Sequence, residues 1–448
     1  MVSFPEDFIF GVSTSAYQIE GAWNEDDKGE SIWDHFSHTP GNIENGDNGD
    51  RACDHYHRME SDVSLIADLG VGAYRFSVSW PRIFPTGKGE LNQKGLDFYQ
   101  FLVDRLLSAG IRPVLTLYHW DLPQALEEQG GWRNSDTALF FAEYAHTLFR
   151  VLGDRVPYWI THNEPWVNAF LGHDEGIHAP GLKDFAAALT VSRELLLSHG
   201  MAVQAFRQEN LTAKIGLAHD LPPVHFRSEN EKDREAARRF DGFHNRWFLD
   251  PLFFGRFPED MLEWYRSAGF PVKQLSPREG DLVSLPVDFL GINYYFRHLV
   301  GAGNAHPVLQ VETYHPVEAE YTEMGWEIYP AGLEEAVQRV NRDYAPREIL
   351  VTENGIALPD ILEENGKVHD GKRITYLQDH LFFLHRAMES GAPVHGYFVW
   401  SLMDNFEWHF GYSKRFGLLY TDFSTLKRVP KQSFYWYKEL CRTKKIAQ

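Results

Sequence analysis

Eight short runs rich in β-branched and aromatic residues recur along the chain, at 8–14, 73–79, 113–118, 158–162, 214–219, 288–295, 348–352 and 394–400. Several are nearly unbroken in apolar residues, as parallel strands covered on both faces must be; a half-exposed antiparallel strand would alternate. Helical patterns lie between them. Over 57–69, Met59, Val63 and Ile66 share one face, and the run closes on Gly70, a residue suited to the left-handed position that ends a helix. Leu96, Tyr99, Leu102, Val103 and Leu106 repeat the scheme over 96–109 before Gly110, and 137–152 does so before Gly153. Strand then helix, eight times over, predicts a closed (β/α)₈ barrel, with an open doubly wound sheet as the alternative. Residues 41–50 and 358–371 read as long polar loops and 301–323 as an insertion. No low-complexity linker divides the chain, so residues 1–448 are expected to form one domain, a length that barrels with long loops reach.

Charge and cysteine usage narrow the partners. The 448 residues carry a net charge of −20, which repels phosphate backbones and anionic lipid and argues against nucleic acid or a membrane surface as partner. Cys53 and Cys441 stand nearly the whole chain apart, so neither a disulfide framework nor a Cys-x-x-Cys metal clip is available. The opening residues lack the basic and apolar stretches of a secretory signal, and no apolar run approaches the roughly 18 to 20 residues that span a bilayer. The sequon Asn210-Leu211-Thr212 is therefore expected to stay unused, and a cytoplasmic location is the expectation.

In such a barrel, side chains just past the C-terminal ends of the strands share one pocket. Thr161-His162-Asn163-Glu164-Pro165 follows the fourth run and Thr352-Glu353-Asn354-Gly355 the seventh. Two glutamates brought together across the mouth would supply the proton donor and the nucleophile or base that glycoside hydrolysis requires. Each alone is as well read as a loop glutamate beside a turn residue. The other strand ends offer Gln18, Arg75, His119-Trp120, Asn293-Tyr294-Tyr295 and Trp400, with Glu407-Trp408 in the loop beyond. Neutral hydrogen-bonding groups and indoles suit a polyol, whose hydroxyls take the polar groups while its C–H face packs on tryptophan. A single His or Trp at a strand end is more often a core residue; the set makes the case.

These residues sit in segments that resemble glycoside hydrolase family 1, the β-glucosidase family, across essentially the whole chain. The matching segments are Phe10-Gly11-Val12-Ser13-Thr14-Ser15-Ala16-Tyr17-Gln18-Ile19-Glu20-Gly21, Tyr74-Arg75-Phe76-Ser77-Val78-Ser79-Trp80-Pro81-Arg82, Leu117-Tyr118-His119-Trp120-Asp121-Leu122-Pro123, Asn163-Glu164-Pro165, Thr352-Glu353-Asn354-Gly355 and Asp404-Asn405-Phe406-Glu407-Trp408. The resemblance implies that Glu164 is the general acid/base and Glu353 the nucleophile of a retaining double displacement, with carboxyls ~5 to 5.5 Å apart. It implies that Arg75 holds Glu353 ionised, that Tyr295 adds a hydrogen bond to it, and that burial and the Glu353 charge keep Glu164 protonated. Asn163 corresponds to the group on the sugar 2-hydroxyl. Gln18, His119, Trp120, Glu407 and Trp408 match the clamp on the 3-, 4- and 6-hydroxyls, and Asn293 belongs to the same substrate-binding set. Trp400 matches the stacking platform, with a cis peptide bond to Ser401 expected. Trp326 resembles the aromatic on the leaving-group side, and Phe416 lies near the 6-position. No metal or organic cofactor is implied.

The implied activity is a retaining exo-β-glucosidase acting on cellobiose, short cello-oligosaccharides and aryl or alkyl β-glucosides, with side activity on β-galactosides and β-fucosides. Two other readings stand beside it. A catalytically silent sugar-binding barrel would normally have lost one glutamate, and both are present. A 6-phospho-β-glucosidase would normally lack the Glu407-Trp408 pair; Glu407 would repel phosphate, and Phe416 stands where phosphate binders carry Tyr, although Lys414 is present. Glu164 argues against the thioglucosidase branch, which lacks it. His55-x-His57 reads as a helix start rather than a metal site, and no Gly-x-Gly-x-x-Gly follows a strand. Dimers or tetramers are common in the family, and no patch in the sequence fixes the state for this chain.

Overall fold

The computed structural model describes residues 2–446, so Met1 and residues 447–448 of the expected 1–448 domain lie outside the described residues. Eight parallel strands close a barrel: β1 (Ile9–Ser13), β2 (Ala73–Ser77), β3 (Arg112–Tyr118), β4 (Tyr158–Asn163), β5 (Lys214–Asp220), β6 (Phe289–Asn293), β7 (Ile349–Asn354) and β8 (Val394–Trp400). They pair in chain order around the ring, with β8 returning to β1. All eight stay within two residues of the expected runs. The doubly wound alternative is ruled out by the closed ring.

Helices follow as the periodicity requires: α1 (His55–Leu69), α2 (Gln93–Ser108), α3 (Asp136–Leu152), α4 (Phe185–Gln208), α5 (Glu231–Asp241), α6 (Trp247–Phe254), α7 (Ala331–Tyr344), α8 (Gly371–Glu389) and α9 (Gln432–Thr443). The face of α2 that turns inward is Leu96, Tyr99, Leu102, Val103 and Leu106. Gly70 ends α1 at φ 76°, its N–H donating to the Ile66 and Ala67 carbonyls, in the left-handed conformation a β-carbon would disfavour.

Apolar side chains fill the barrel itself. Ile9, Val114, Ile160, Phe289, Leu350 and Phe398 form a cluster separate from the larger core between strands and helices, so the barrel is a packed interior and not a pore. The Phe398 ring occupies the space that a β-carbon at Gly11 would need, 2.4 Å away. The insertion expected at 301–323 is in part a β-hairpin, His298–His306 against Val311–Tyr314, extended by Val224–Phe226 into a three-stranded side sheet. At the opposite end of the barrel, Val2–Ser3 pairs with Lys445–Ile446. Among the described residues no helix is long and apolar enough to cross a membrane.

Candidate active site

The register of the barrel places the two carboxyls. Pairing of β4 with β5 slips between Ile160 and Asn163, and pairing of β7 with β6 slips between Val351 and Glu353. Such irregularities re-aim the side chains beyond them, and here each lies immediately before a glutamate. Glu353 is thus inside β7, not past its end, and β4 and β7 stand three places apart in the ring. Glu164 leaves β4 with φ 45°, a left-handed conformation that costs a non-glycine residue about 1–2 kcal/mol. Its N–H is held by the Ala218 carbonyl at 2.8 Å.

Both carboxyls are buried, but their surroundings differ. Arg75 Nη1 donates to Glu353 Oε1 at 2.5 Å and the Tyr295 hydroxyl to Oε2 at 2.6 Å. The same guanidinium reaches the Thr352 carbonyl at 3.1 Å and Asn163 Oδ1 at 2.5 Å. That contact, with a second from Asn293 Nδ2 at 3.0 Å, fixes Oδ1 as an acceptor and turns Asn163 Nδ2 towards His119 Nε2, 3.1 Å away. Glu164 has one side-chain donor, Asn293 Nδ2, at 2.6 Å from Oε1.

Proton affinity follows from these contacts. Burial pushes the Glu164 carboxyl well above the ordinary glutamate range, the nearby Glu353 and Asp220 charges add to it, and the amide of Asn293 opposes it. Burial also raises Glu353, and Arg75 and the Tyr295 hydroxyl offset part of the rise. The inequality survives: Glu353 gives up its proton before Glu164.

A cavity of about 340 Å³ opens over the pair. Its deep end is made by Trp120, Trp400 and Trp408, all buried, with Glu407 beside them. Trp120 and Trp408 meet at 4.5 Å, and His119 stacks on Trp400 and Trp408 at 5.9 and 5.8 Å. Burial and the Glu353 charge push Glu407 up to about 8, so near neutral pH it carries a proton it can donate. The Trp400–Ser401 peptide bond is cis. A β-carbon on Gly355 would lie 1.8 Å from the Trp400 carbonyl oxygen, so the glycine after Glu353-Asn354 lets the two strand ends approach.

Behind this end lies a buried ionic network. Lys431 Nζ donates to Asp404 Oδ1 at 2.6 Å and Asp360 Oδ2 at 2.5 Å. Arg415 reaches Asp404 at 2.7 Å, and Arg373 reaches Asp360 at 2.7 Å and also Asp370. It joins the loops after β7 and β8 to the start of α9, and so anchors the segment that carries Glu407 and Trp408.

The open end is built differently. Trp326 and Phe296, half-buried, stack at 5.2 Å, and Tyr295 meets Trp326 at 5.1 Å. Phe416 packs with Trp400 and Ala357.

The structure therefore brings Glu164, Glu353, His119, Trp120, Tyr295, Trp326, Trp400, Glu407, Trp408 and Phe416 to the cavity wall, with Arg75, Asn163 and Asn293 directly behind it. Gln18 is the exception. It is fully buried, its amide nitrogen donating to the Phe406 carbonyl at 2.7 Å and its oxygen accepting from Ser15 at 2.5 Å. Missed from the sequence are Asp220 at the end of β5 and His244, His178 and Phe296 in the wall. The rule that strand ends share the pocket would have found Asp220, since the fifth end was the one left without a candidate.

Buried carboxyls of unequal proton affinity in an indole-lined cavity at a barrel mouth are the equipment of a glycoside-cleaving enzyme. Comparison with known proteins narrows that class. The sequence model of glycosyl hydrolase family 1 matches residues 1–446. Beta-glucosidase A of Acetivibrio thermocellus is 50% identical over 98% of both chains. The 1,4-beta-D-glucan glucohydrolase of Thermotoga neapolitana is 47% identical over 99% of both. The solved beta-glucosidase from Thermotoga maritima in complex with deoxynojirimycin superposes with a TM-score of 0.95 at 46% identity, covering 100% of both chains. The chain belongs to glycosyl hydrolase family 1 and is an O-glycoside hydrolase.

Proposed function

We propose that this chain is a retaining, exo-acting β-glucosidase that removes terminal β-D-glucosyl units from cellobiose, short cello-oligosaccharides and aryl or alkyl β-glucosides. The observation that carries the reading is the unequal pair: both Glu353 oxygens are engaged by donors, while Glu164 keeps its proton through burial and neighbouring negative charge. A Glu353 oxygen attacks the anomeric carbon as the bond to the leaving oxygen breaks, and the Glu164 proton goes to that oxygen. Water then adds to the anomeric carbon, gives a proton to Glu164, and releases Glu353. Both carboxyls feel the one Asn293 amide, which favours the short spacing of a retaining enzyme over the ~6.5–9.5 Å of an inverting one.

Exo action is supported by a cavity with a buried end and an open end. Substrate choice rests on the similar proteins, which are named a beta-glucosidase and a 1,4-beta-D-glucan glucohydrolase. Activity on the 4-epimers belongs to the same reading, because neutral His119 and protonated Glu407 can each turn to either hydroxyl orientation. Asn163 would hold the 2-hydroxyl, a contact worth most in the transition state. Among the described residues no lysine or arginine lines the cavity, which counts against a 6-phosphorylated substrate. The one domain spans the chain, and the buried, separate thiols of Cys53 and Cys441 suit a reducing cytoplasm.

The test is incubation with 2-deoxy-2-fluoro-β-glucosyl fluoride and peptide mapping by mass spectrometry. Fluorine slows both steps while the good leaving group keeps the first running, so the expected result is an ester on the peptide that contains Glu353. A folded protein that takes no label would overturn the reading.

A further inference from the structure

β5 ends on Asp220, in register with Asn293 of β6, and its Ala218 carbonyl holds the Glu164 N–H at 2.8 Å. Asp220 and Glu164 thus leave neighbouring strands into one cavity. Asp220 Oδ2 accepts from His244 Nε2 at 2.6 Å, whereas Oδ1, though buried, has no hydrogen-bond partner, with His219 Nδ1 standing 3.6 Å away. His244 lies in the turn Gly242–Arg246 after α5, and its ring stacks at 4.0 Å on Trp166, two residues beyond Glu164. His244 Nδ1 is also unpartnered, so the ring is satisfied by the tautomer that carries its proton on Nε2. Burial drives its basicity down to about 3. Asp220 is therefore paired with a neutral donor, and the one ring that could oppose its charge, His219, is itself lowered to about 4 by burial.

We propose that Asp220, held by His244, is a positioning residue for the proton on Glu164: its carboxylate opposes ionisation of Glu164 and extends the cleavage of poor-leaving-group glucosides to higher pH. The inference rests on reading Glu164 as the acid. Burial pushes Asp220 itself up to about 7, so its charge develops around neutral pH and there opposes loss of the Glu164 proton. The other groups facing the pair are few. Glu353, Arg75 and Asn293 act on Glu164, and the Tyr295 hydroxyl faces it; His219 and His244 face Asp220; Asp241, and His298 at 5.6 Å, face His244. Neither His219 nor His298 supplies a cation, since burial lowers both.

The experiment compares pH profiles of kcat/KM on cellobiose for wild type, Asp220→Asn and Asp220→Glu, with folding checked by circular dichroism. Asparagine keeps an acceptor for His244 and removes the charge. The expected result is an alkaline limb moved to lower pH by roughly half to one unit, an unmoved acid limb, and a profile restored by glutamate. An alkaline limb that stays in place overturns the proposal, as does an equal loss at every pH. A raised KM with both limbs fixed would assign Asp220 to contact with the leaving-group sugar instead. If Asp220→Asn does not fold, Asp220→Ser carries the same expectation. Failure of the underlying reading looks different: Glu164→Ala would then lose activity equally on good and poor leaving groups.

Discussion

The two ends of the cavity are built on opposite plans. At the deep end several polar groups are held by the protein: Gln18 is bonded to Ser15 and the Phe406 carbonyl, Asn163 is fixed by Arg75 and Asn293, and the Glu407 segment is moored by Lys431, Asp404 and Asp360. At the open end Asp220 Oδ1 and His244 Nδ1 have no partner, and Trp326 and Phe296 are half-exposed. A site held rigid by its own hydrogen bonds recognises one shape, whereas unpartnered groups on an aromatic wall accept many. On the proposed reading the sugar-binding end is the more selective of the two, with His119 and Glu407 as its adjustable groups.

The largest expected effect lies where the two ends meet. Glu353→Ala removes the proposed nucleophile and should lower kcat by about 10⁴-fold or more; added azide should restore turnover with inverted anomeric configuration. Wild-type turnover in that variant would overturn the assignment. Glu164→Ala separates the ends more finely. Alkyl glucosides and cellobiose should lose about 10²–10⁴-fold, while dinitrophenyl glucoside, which needs little protonation, keeps a near-normal first step; stopped-flow release of the phenol reads it.

Next comes the mooring of the deep end. Lys431→Met leaves Asp404 and Asp360 short of a cation in a buried network, a loss of about 3–5 kcal/mol that urea unfolding should show. A variant as stable as wild type would mean the network does not anchor the clamp. Glu407 gives a gentler test with a defined sign. Its folded carboxyl holds a proton up to about 8, against about 4.3 unfolded, so the folded state loses stability as pH rises through that window. Glu407→Gln should therefore gain on wild type between about pH 5 and about pH 8, by roughly 2–4 °C in Tm; a gap independent of pH would contradict the assignment. The smallest change belongs to the open end: Trp326→Ala should lower kcat/KM on cello-oligosaccharides by about 10-fold and that on small alkyl glucosides less.

The barrel was legible because each strand is buried on both faces, so its apolar run had no competing explanation. The hairpin His298–His306 with Val311–Tyr314 was not, since its strands carry glycine, histidine and asparagine where a core strand carries valine. Glu164 and Glu353 were legible as strand-end residues, but the register slips that aim them leave no trace in composition. Gln18 shows the limit of position alone: it follows the first strand as expected, yet Ser15 and the Phe406 carbonyl are bonded to its amide. His244 was beyond reach, because only the turn after α5 brings it 24 positions back to Asp220.

The pairing of Val2–Ser3 with Lys445–Ile446 puts both described ends of the chain on the floor of the barrel, while substrate enters at the roof. A tether fused to either end must leave from that floor. Anchored by one end to a bead or to another protein, the barrel would stand with its mouth facing outward into the solution. A support that covers the floor would leave traffic of glucosides and glucose through the mouth untouched.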